Sequence, residues 1–224
     1  MFLKTNLLSF GKVLYKGKYL RVDLQLMASK DRIQRLKEET KVSILDAAYK
    51  IVKEEGWQAL SMRKIADEIE YTAPIIYEYF SNKECILAEL NKKGFLYLTT
   101  EMEEARNKHP QPAEQLEAMW MAYWNFAFRE KELYQLMFGV AMNCCAAQKA
   151  PEIEAPANLI RDVIRQLMAG KDAPETEVCR KYYTFWSVIH GLISINLVNK
   201  GESDEINRMV LKDAIEGIIK SIQG

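Results

Sequence analysis

The sequence predicts an all-α fold, with a three-helix unit near the N-terminus and a larger helical bundle after it. From Asp31 onward, apolar residues recur at helical spacing, and strand-like alternation is nowhere sustained. Gly, Pro, Ser and Thr stand where helices would begin and end. Hydrophobic residues make up 49% of the 224 residues and charged residues 28%, which is typical of a globular protein. We place the domains at residues 1–28, 29–84 and 85–224.

The first helix of the three-helix unit is predicted to end at Gly56. Its apolar residues form one stripe, which comprises Ile44, Leu45, Ala48, Ile51 and Val52. Two short helices follow, joined by a tight turn at Glu70–Tyr71. Ser61 and Thr72 have the positions of their N-caps, and Pro74 lies in the first turn of the third helix.

A fourth, longer helix and five further helices complete the predicted fold. Ser81 and Glu84 have capping-box spacing and predict the start of the fourth helix. The next helix begins at Pro112. The others cover residues 132–148, 158–168, 175–199 and 204–222. We expect a break around Pro151 and Pro156, because proline interrupts a helix.

Residues 60–83 have the pattern of a helix-turn-helix, whose second short helix is free to enter a DNA major groove. The inward-facing residues that anchor it are Ile65, Ile69, Ile76 and Phe80. Ala73, Pro74 and Ile75 lie at the end of the helix that meets base edges. They carry no bidentate donor, so we expect contacts with thymine methyls and an affinity that comes largely from phosphates. The groups expected to bind those phosphates are Tyr77, Tyr79 and Lys83.

The same segment resembles the helix-turn-helix of the tetracycline-repressor (TetR) family over residues 40–89, without gaps. The recognition helix of that family typically ends in Tyr-x-Tyr/His-Phe followed by x-x-Lys. Here these are Tyr77-Glu78-Tyr79-Phe80 and Ser81-Asn82-Lys83. The match extends to Gly56, to Leu60-Ser61 and to Arg63-Lys64-Ile65-Ala66.

The resemblance implies a sequence-specific transcription regulator that binds double-stranded DNA and, by the family default, represses. It implies that Arg63 reaches a phosphate or a base, and that residues 72–75 read the sequence. The predicted DNA-contacting set is Ser61, Arg63, Thr72, Ala73, Pro74, Ile75, Tyr77, Tyr79 and Lys83. Most relatives have Gly where this chain has Glu70. Either the turn avoids left-handed geometry, or the unit accepts a stability loss of about 1–2 kcal/mol.

The C-terminal half resembles the WHG-type C-terminal domain of some TetR-family regulators. The similarity rests on the Trp-x-x-x-His-Gly run at residues 186–191, which follows the segments 124–128 and 132–138. Met and aromatic residues occupy more than one helix face here. A thick bundle core explains most of them, and an adaptable cavity for a lipophilic effector explains the surplus. The predicted pocket comprises Trp120, Trp124, Phe128, Met137, Phe138, Met142, Trp186 and His190. The alternative is that His190 is a core residue whose ring nitrogens are hydrogen-bonded within the protein.

The last two helices, 175–199 and 204–222, are the predicted surface of a homodimer, because the first of them is apolar on more than one side. Two-fold symmetry would place the recognition helices about 34–36 Å apart on a pseudo-palindromic operator. A small-molecule effector would change this spacing by binding the two states differently. Two alternatives stay open: a DNA-binding structural protein without a ligand, and a helical-bundle enzyme.

Several functions are disfavoured by what the sequence lacks. The four cysteines form no C-x-x-C pair and there are two histidines, so we expect no metal, no cofactor and no disulfide. We identify no nucleophile with a base, and therefore expect no enzyme. The chain has no apolar run of about 18 residues and no signal peptide, which predicts a cytoplasmic protein that does not span a membrane. Cys144 and Cys145 are either small core residues or a redox sensor.

Residues 1–28 hold five basic residues against one acid, and their apolar residues show no sustained helical period. We interpret this segment as disordered or as a mis-assigned start. The alternative is a basic arm along DNA phosphates. The cations just ahead of the stripe would extend such a flexible arm: Lys30, Arg32, Arg35, Lys37 and Lys41.

Overall fold

The computed structural model describes residues 8–139, 150–168, 174–199 and 203–223, with side chains from Lys30 onward except that of Asn199. These residues form nine α-helices, one 3-10 turn at Trp57–Ala59, and no strand, which confirms the all-α prediction. The helices are α1 (Leu8–Glu55), α2 (Met62–Glu68), α3 (Ala73–Tyr79), α4 (Lys83–Arg106), α5 (Pro112–Arg129), α6 (Lys131–Gly139), α7 (Pro151–Leu167), α8 (Glu175–Asn199) and α9 (Asp204–Gln223).

The chain divides into two compact units, Met1–Asp46 and Ala47–Gly224. The first unit is the N-terminal part of α1, which is helical from Leu8 and shows no break at residue 28. This differs from the expectation of a disordered segment and a flexible arm. The segment contains no proline and is rich in Leu and Lys, which are good helix formers. The domain boundaries at 28 and 84 remain predictions.

The helix-turn-helix is built on a small buried core, as expected. Ile65 and Ile76 are fully buried, Phe80 is 6% exposed, and Ile69 is half-buried. The preceding helix ends at Glu55, and Gly56 has a φ of 84°. Glycine suits this position because it adopts positive φ without steric cost. Ser61 caps α2 as predicted, since its hydroxyl accepts from the N–H of Lys64 at 3.2 Å.

Two predicted helix caps differ in detail. Thr72 is the N-cap of α3, but its side chain makes no cap bond. Its backbone carbonyl instead accepts from the N–H of Ile75 at 3.0 Å, and Pro74 has no N–H to satisfy. The capping box at Ser81 and Glu84 is wrong. Asn82 is the N-cap of α4, and its side chain accepts from the N–H of Cys85 at 2.9 Å.

The expected break around Pro156 is also wrong. Helix α7 begins at Pro151 and runs through Pro156 to Leu167. Pro156 lies near the start of the helix, so its ring removes a single hydrogen bond close to a terminus. The apolar face of the helix, buried at Pro156, Ile160 and Val163, supplies packing that holds it together. The predicted helix ends at Gln148, Gly170 and Gly201 lie outside the described residues.

Helices α4 to α9 form the C-terminal bundle. Helix α4 lies against α5, α6 and α7, and α8 lies against α7 and α9. Helices α4 and α6 approach closely at Gly94, where an added Cβ would lie 2.6 Å from the sulfur of Met137. Gly94 therefore allows α4 and α6 to pack closely. The largest fully buried side chains in the bundle are Trp120, Tyr134, Phe126 and Phe185.

Candidate functional site

The turn between α2 and α3 adopts the left-handed geometry in question. Glu70 has a φ of 57° and is the sole non-glycine residue with positive φ in the described part of the chain. The N–H of Tyr71 donates to the carbonyl of Ala66 at 2.9 Å, which is the bond pattern of a Schellman motif. This turn normally favours glycine, so Glu70 accepts strain in order to set the angle between the two helices.

An open groove of about 450 Å³ lies beside the recognition helix α3. It is formed by the start of α2, one face of α3 and the start of α4. Five of the nine predicted DNA-contacting residues line it together: Ser61, Arg63, Ala73, Tyr77 and Lys83. Ala73 and Tyr77 share a face because they are four residues apart on α3. The structure also places Met62, Asn82 and Glu84 on the wall, which sequence reasoning did not select.

The recognition helix presents its outer face to solvent. Tyr77 is 55% exposed, Thr72 and Pro74 are exposed, and Ile75 and Tyr79 are partly exposed. On the opposite face, Ile76 and Phe80 anchor the helix in the core. The predicted division between anchoring and outward residues on α3 matches this geometry.

Ion pairing separates the cations near this groove into two groups. Lys64 binds Glu55 at 2.6 Å, and Lys50 binds Glu68 at 2.6 Å. Arg63 and Lys83 form no ion pair within the described part of the chain. The two cations on the groove wall are therefore available to an external anion, whereas Lys64 is already engaged.

The predicted effector-pocket residues divide between two places in the C-terminal bundle. Trp120, Phe138 and Trp186 line a small interior cavity of about 30 Å³. Trp124 and Phe128 instead line a groove of about 320 Å³ next to α8 and α9. Met137 packs on Gly94, and Met142 lies outside the described residues.

His190 is held by neighbours inside this aromatic region. Its ring stacks on Trp186 with centroids 4.8 Å apart, and its Nδ1 forms a hydrogen bond with the hydroxyl of Tyr134. The Tyr134 hydroxyl also lies 3.0 Å from that of Tyr123, which gives a chain of three polar groups. Burial lowers the pKa of His190 and raises the pKa values of both tyrosines. The geometry thus matches the alternative of a satisfied core residue.

The groove beside Trp124 has polar walls that the sequence did not reveal. Asn196 on α8 accepts from the side chain of Asn207 on α9 at 2.6 Å, and both residues are buried. Asn196 also donates to the carbonyl of Leu192 at 2.9 Å. Nothing in the local sequence pairs these two asparagines, because their contact depends on how α8 and α9 cross.

A second cluster missed by the sequence lies where α5 meets α6. The carboxylate of Glu130 accepts from the hydroxyl of Tyr49 on α1 at 2.7 Å and from Lys53 at 3.3 Å. Burial raises the pKa of Glu130, but these hydrogen bonds and the charges of Lys53 and Arg129 outweigh it, so the pKa lies below its usual value. The carbonyl of Glu130 accepts from the N–H of Tyr134 at 2.8 Å. One residue thus contacts both the first helix and the aromatic region.

Neither a metal site nor a membrane-spanning helix is found where the structure is described. No group of three or more His, Cys, Asp or Glu side chains there is placed to hold a metal ion. No helix in the same ranges is long and apolar enough to cross a bilayer.

The fold and the exposed recognition helix define a helix-turn-helix, DNA-binding transcription regulator. Comparison with known proteins places it more narrowly. Residues 44–90 match the model of bacterial regulatory proteins of the tetR family, and residues 116–209 match a tetracyclin repressor-like C-terminal domain. The chain belongs to the TetR family. The WHG subtype remains a prediction.

Three relatives illustrate the breadth of the match. An uncharacterized HTH-type transcriptional regulator of Haemophilus influenzae is 29% identical over 94 residues, which span 42% of this chain and half of that protein. The HTH-type transcriptional activator FasR of Mycolicibacterium smegmatis is 21% identical over 84% of this chain and 83% of its own. A TetR family regulator from Marinobacter aquaeolei has a TM-score of 0.59 at 17% identity, covering 82% of this chain and 97% of its own.

Proposed function

We propose that this regulator binds its operator through the groove beside α3, with Arg63, Tyr77 and Lys83 on DNA phosphates. The supporting observation is that five predicted contact residues line one groove in which both cations have no ion-pair partner among the described residues. The groove is also fixed in shape, because Ser61 and Asn82 cap the two helices that begin at its walls. A groove wall that carries Arg63 and Lys83 beside an exposed helix suits a phosphate backbone on the flank of a major groove.

The residues at the start of α3 are proposed to contact the bases and so to recognise the operator sequence. Thr72 and Pro74 are exposed there, and Ala73 and Ile75 are partly exposed. The three residues after Thr72 offer methyl and methylene groups and no side-chain donor, so they discriminate through thymine methyls. The Thr72 hydroxyl makes no cap bond, which leaves it available to a base or a phosphate.

The regulator is proposed to act as a homodimer through α8 and α9. Helix α8 is apolar on two sides: Ile189 and Ile193 are fully buried, whereas Ile195 and Val198 are 56% and 78% exposed. An exposed apolar helix face of this kind is the surface that a partner subunit would cover. The exposed apolar residues of the two helices are Tyr183, Val188, Ile195, Val198, Ile206, Met209 and Val210. Val198→Glu is expected to shift the protein from dimer to monomer in light scattering, whereas Leu96→Glu on α4 leaves it dimeric.

Binding of a small lipophilic effector in the C-terminal bundle is proposed to control operator occupancy. Its support is the aromatic region around Tyr134 and Trp186, which Glu130 connects to Tyr49 on α1. We propose repression as the outcome of DNA binding. The Mycolicibacterium relative is named an activator, so the direction is decided by experiment.

The test is selection of genomic DNA fragments by the purified full-length protein, followed by fluorescence anisotropy on the enriched sequence. A pseudo-palindromic duplex bound by the wild type is expected, with weaker binding by Tyr77→Phe and Lys83→Ala. Lys64→Ala serves as the matched control, since Lys64 is paired with Glu55. Enrichment of no common sequence, or unchanged affinity in both variants, would refute the proposed interface. A promoter fusion carrying the enriched site then reports repression or activation.

A further inference from the structure

Trp120 lines the aromatic cavity and carries a buried donor, Nε1, that has no partner among the described residues. We infer that this cavity binds a compact, neutral, apolar molecule that carries one hydrogen-bond acceptor, and that Trp120 donates to it. The inference rests on the proposed role of the C-terminal bundle as the effector domain, and it specifies the class of effector.

The Trp120 ring is held in place from two sides. It stacks on Phe185 with centroids 5.5 Å apart and meets Tyr123 edge to face at 5.4 Å. The residue is fully buried, and its Nε1 has no hydrogen-bond partner within the described part of the chain. An unpaired buried donor is destabilising, and a buried tryptophan N–H is usually paired. A ligand acceptor at this position would relieve that destabilisation.

The Tyr123 hydroxyl, the wall group whose ring meets Trp120, is already hydrogen-bonded. It bonds to the hydroxyl of Tyr134, which in turn bonds to His190. Four buried polar side-chain atoms in the described residues have no partner, and Trp120 is the one residue among them that lines this cavity. Among the described residues, Nε1 of Trp120 is therefore the fully buried, unpaired donor carried by this wall.

The wall also disfavours a charged ligand. Its residues are aromatic, aliphatic or proline, and none carries a charge at neutral pH. Burial raises the pKa of Tyr182 to about 12, so this phenol stays neutral. The nearby cation Arg161 lies over the Tyr182 ring at 4.8 Å and is within 3.6 Å of Glu154. A carboxylate or ammonium in the cavity would lose its hydration without gaining a counter-ion.

Water is a poor occupant of the same space. A volume of about 30 Å³ has the size of one water molecule. A buried water normally makes two to four hydrogen bonds, and most of this wall is aromatic or aliphatic. A ligand that displaces such a poorly held water gains affinity. Phe138, Tyr182 and Trp186 are partly exposed, so rotation of these rings provides both entry and the extra volume that a ligand needs.

Three probes of matched shape test the inference: ethylbenzene, acetophenone and benzoate, with binding to the full-length protein measured by calorimetry. For the wild type we expect acetophenone to bind more tightly than ethylbenzene by about three- to tenfold, the worth of one hydrogen bond, and benzoate to bind most weakly. In Trp120→Phe the preference for acetophenone over ethylbenzene disappears. Trp124→Phe is the control, because it makes the same change one helical turn away, on the other groove.

The ratio of the wild-type affinities for acetophenone and ethylbenzene tests the inference even where Trp120→Phe fails to fold. Equal affinity for acetophenone and ethylbenzene, tightest binding of benzoate, or no binding of any probe would overturn it. A preference that persists in a folded Trp120→Phe would do the same. Anisotropy with operator DNA is run in parallel. Acetophenone that binds through Trp120 without changing DNA affinity supports the cavity chemistry and counts against the proposed effector role alone.

Discussion

Removing the Lys83 ammonium changes the salt dependence of DNA binding by an amount that follows from the structure. Lys83 lies on the groove wall and forms no ion pair within the described residues. A dimer presents two such lysines, and each neutralised phosphate contributes about 0.9 to the slope of log K against log salt concentration. Lys83→Ala is therefore expected to reduce the magnitude of the slope by about 1.8. Between 50 and 200 mM salt, the variant loses roughly tenfold less affinity than the wild type.

The assay is fluorescence anisotropy with the operator and with a scrambled duplex across this salt range. In Lys83→Ala, the slope of log K against log salt concentration is expected to fall by the same amount on both duplexes, because a phosphate contact carries no sequence information. Lys64→Ala provides the comparison, since its ammonium is bound to Glu55 at 2.6 Å and should leave the slope unchanged. An unaltered slope in Lys83→Ala, or an equal change in Lys64→Ala, would show that the groove does not hold phosphate.

Three further predictions concern stability. Glu70→Gly relieves about 1–2 kcal/mol of left-handed strain and adds a smaller cost in chain entropy. The melting temperature should therefore rise by about 2–4 °C. A lower melting temperature would mean that the φ of 57° at Glu70 carries no penalty. Gly94→Ala places a Cβ within 2.6 Å of the Met137 sulfur, and the free energy of unfolding measured with denaturant should fall by about 1–3 kcal/mol. Gly217→Ala is the control, because its Cβ meets nothing within 4 Å and should be neutral or stabilising. Burial lowers the pKa of His190, so the unfolded state gains a proton first as the pH falls below about 6.5. The free energy of unfolding should therefore fall with decreasing pH in this range, and it should fall less in His190→Asn.

Short-range signals explain why the helix-turn-helix was predictable. The spacing of Ile65, Ile76 and Phe80 fixes which face of each short helix is buried, and this in turn exposes Tyr77. Gly56 and Ser61 act within four residues of their own positions. The conformation of Glu70 was not decided by its neighbours in sequence. It depends on the energy that α2 and α3 gain by packing, which the residue alone does not reveal.

The C-terminal bundle was predicted less well because its features arise from contacts distant in sequence. Pro156 suggests a break, but burial of its helix face outweighs one missing hydrogen bond. Trp120 and Trp124 are one helical turn apart and are equally apolar, yet they line different spaces. The crossing of α5 with α8 and α9 separates them. Glu130 gives no local sign that its carboxylate meets Tyr49, which lies 81 positions away.

The absence of side-chain donors on residues 73–75 has a consequence for how this protein searches a genome. In the proposed interface, residues 73–75 discriminate bases through methyl contacts, and a large share of the binding energy is common to every stretch of duplex. We expect such a protein to slide and hop readily along the chromosome and to dwell only modestly longer at A·T-rich targets. Its occupancy at a promoter then depends on how many competing stretches surround that promoter and on the ionic strength of the cell.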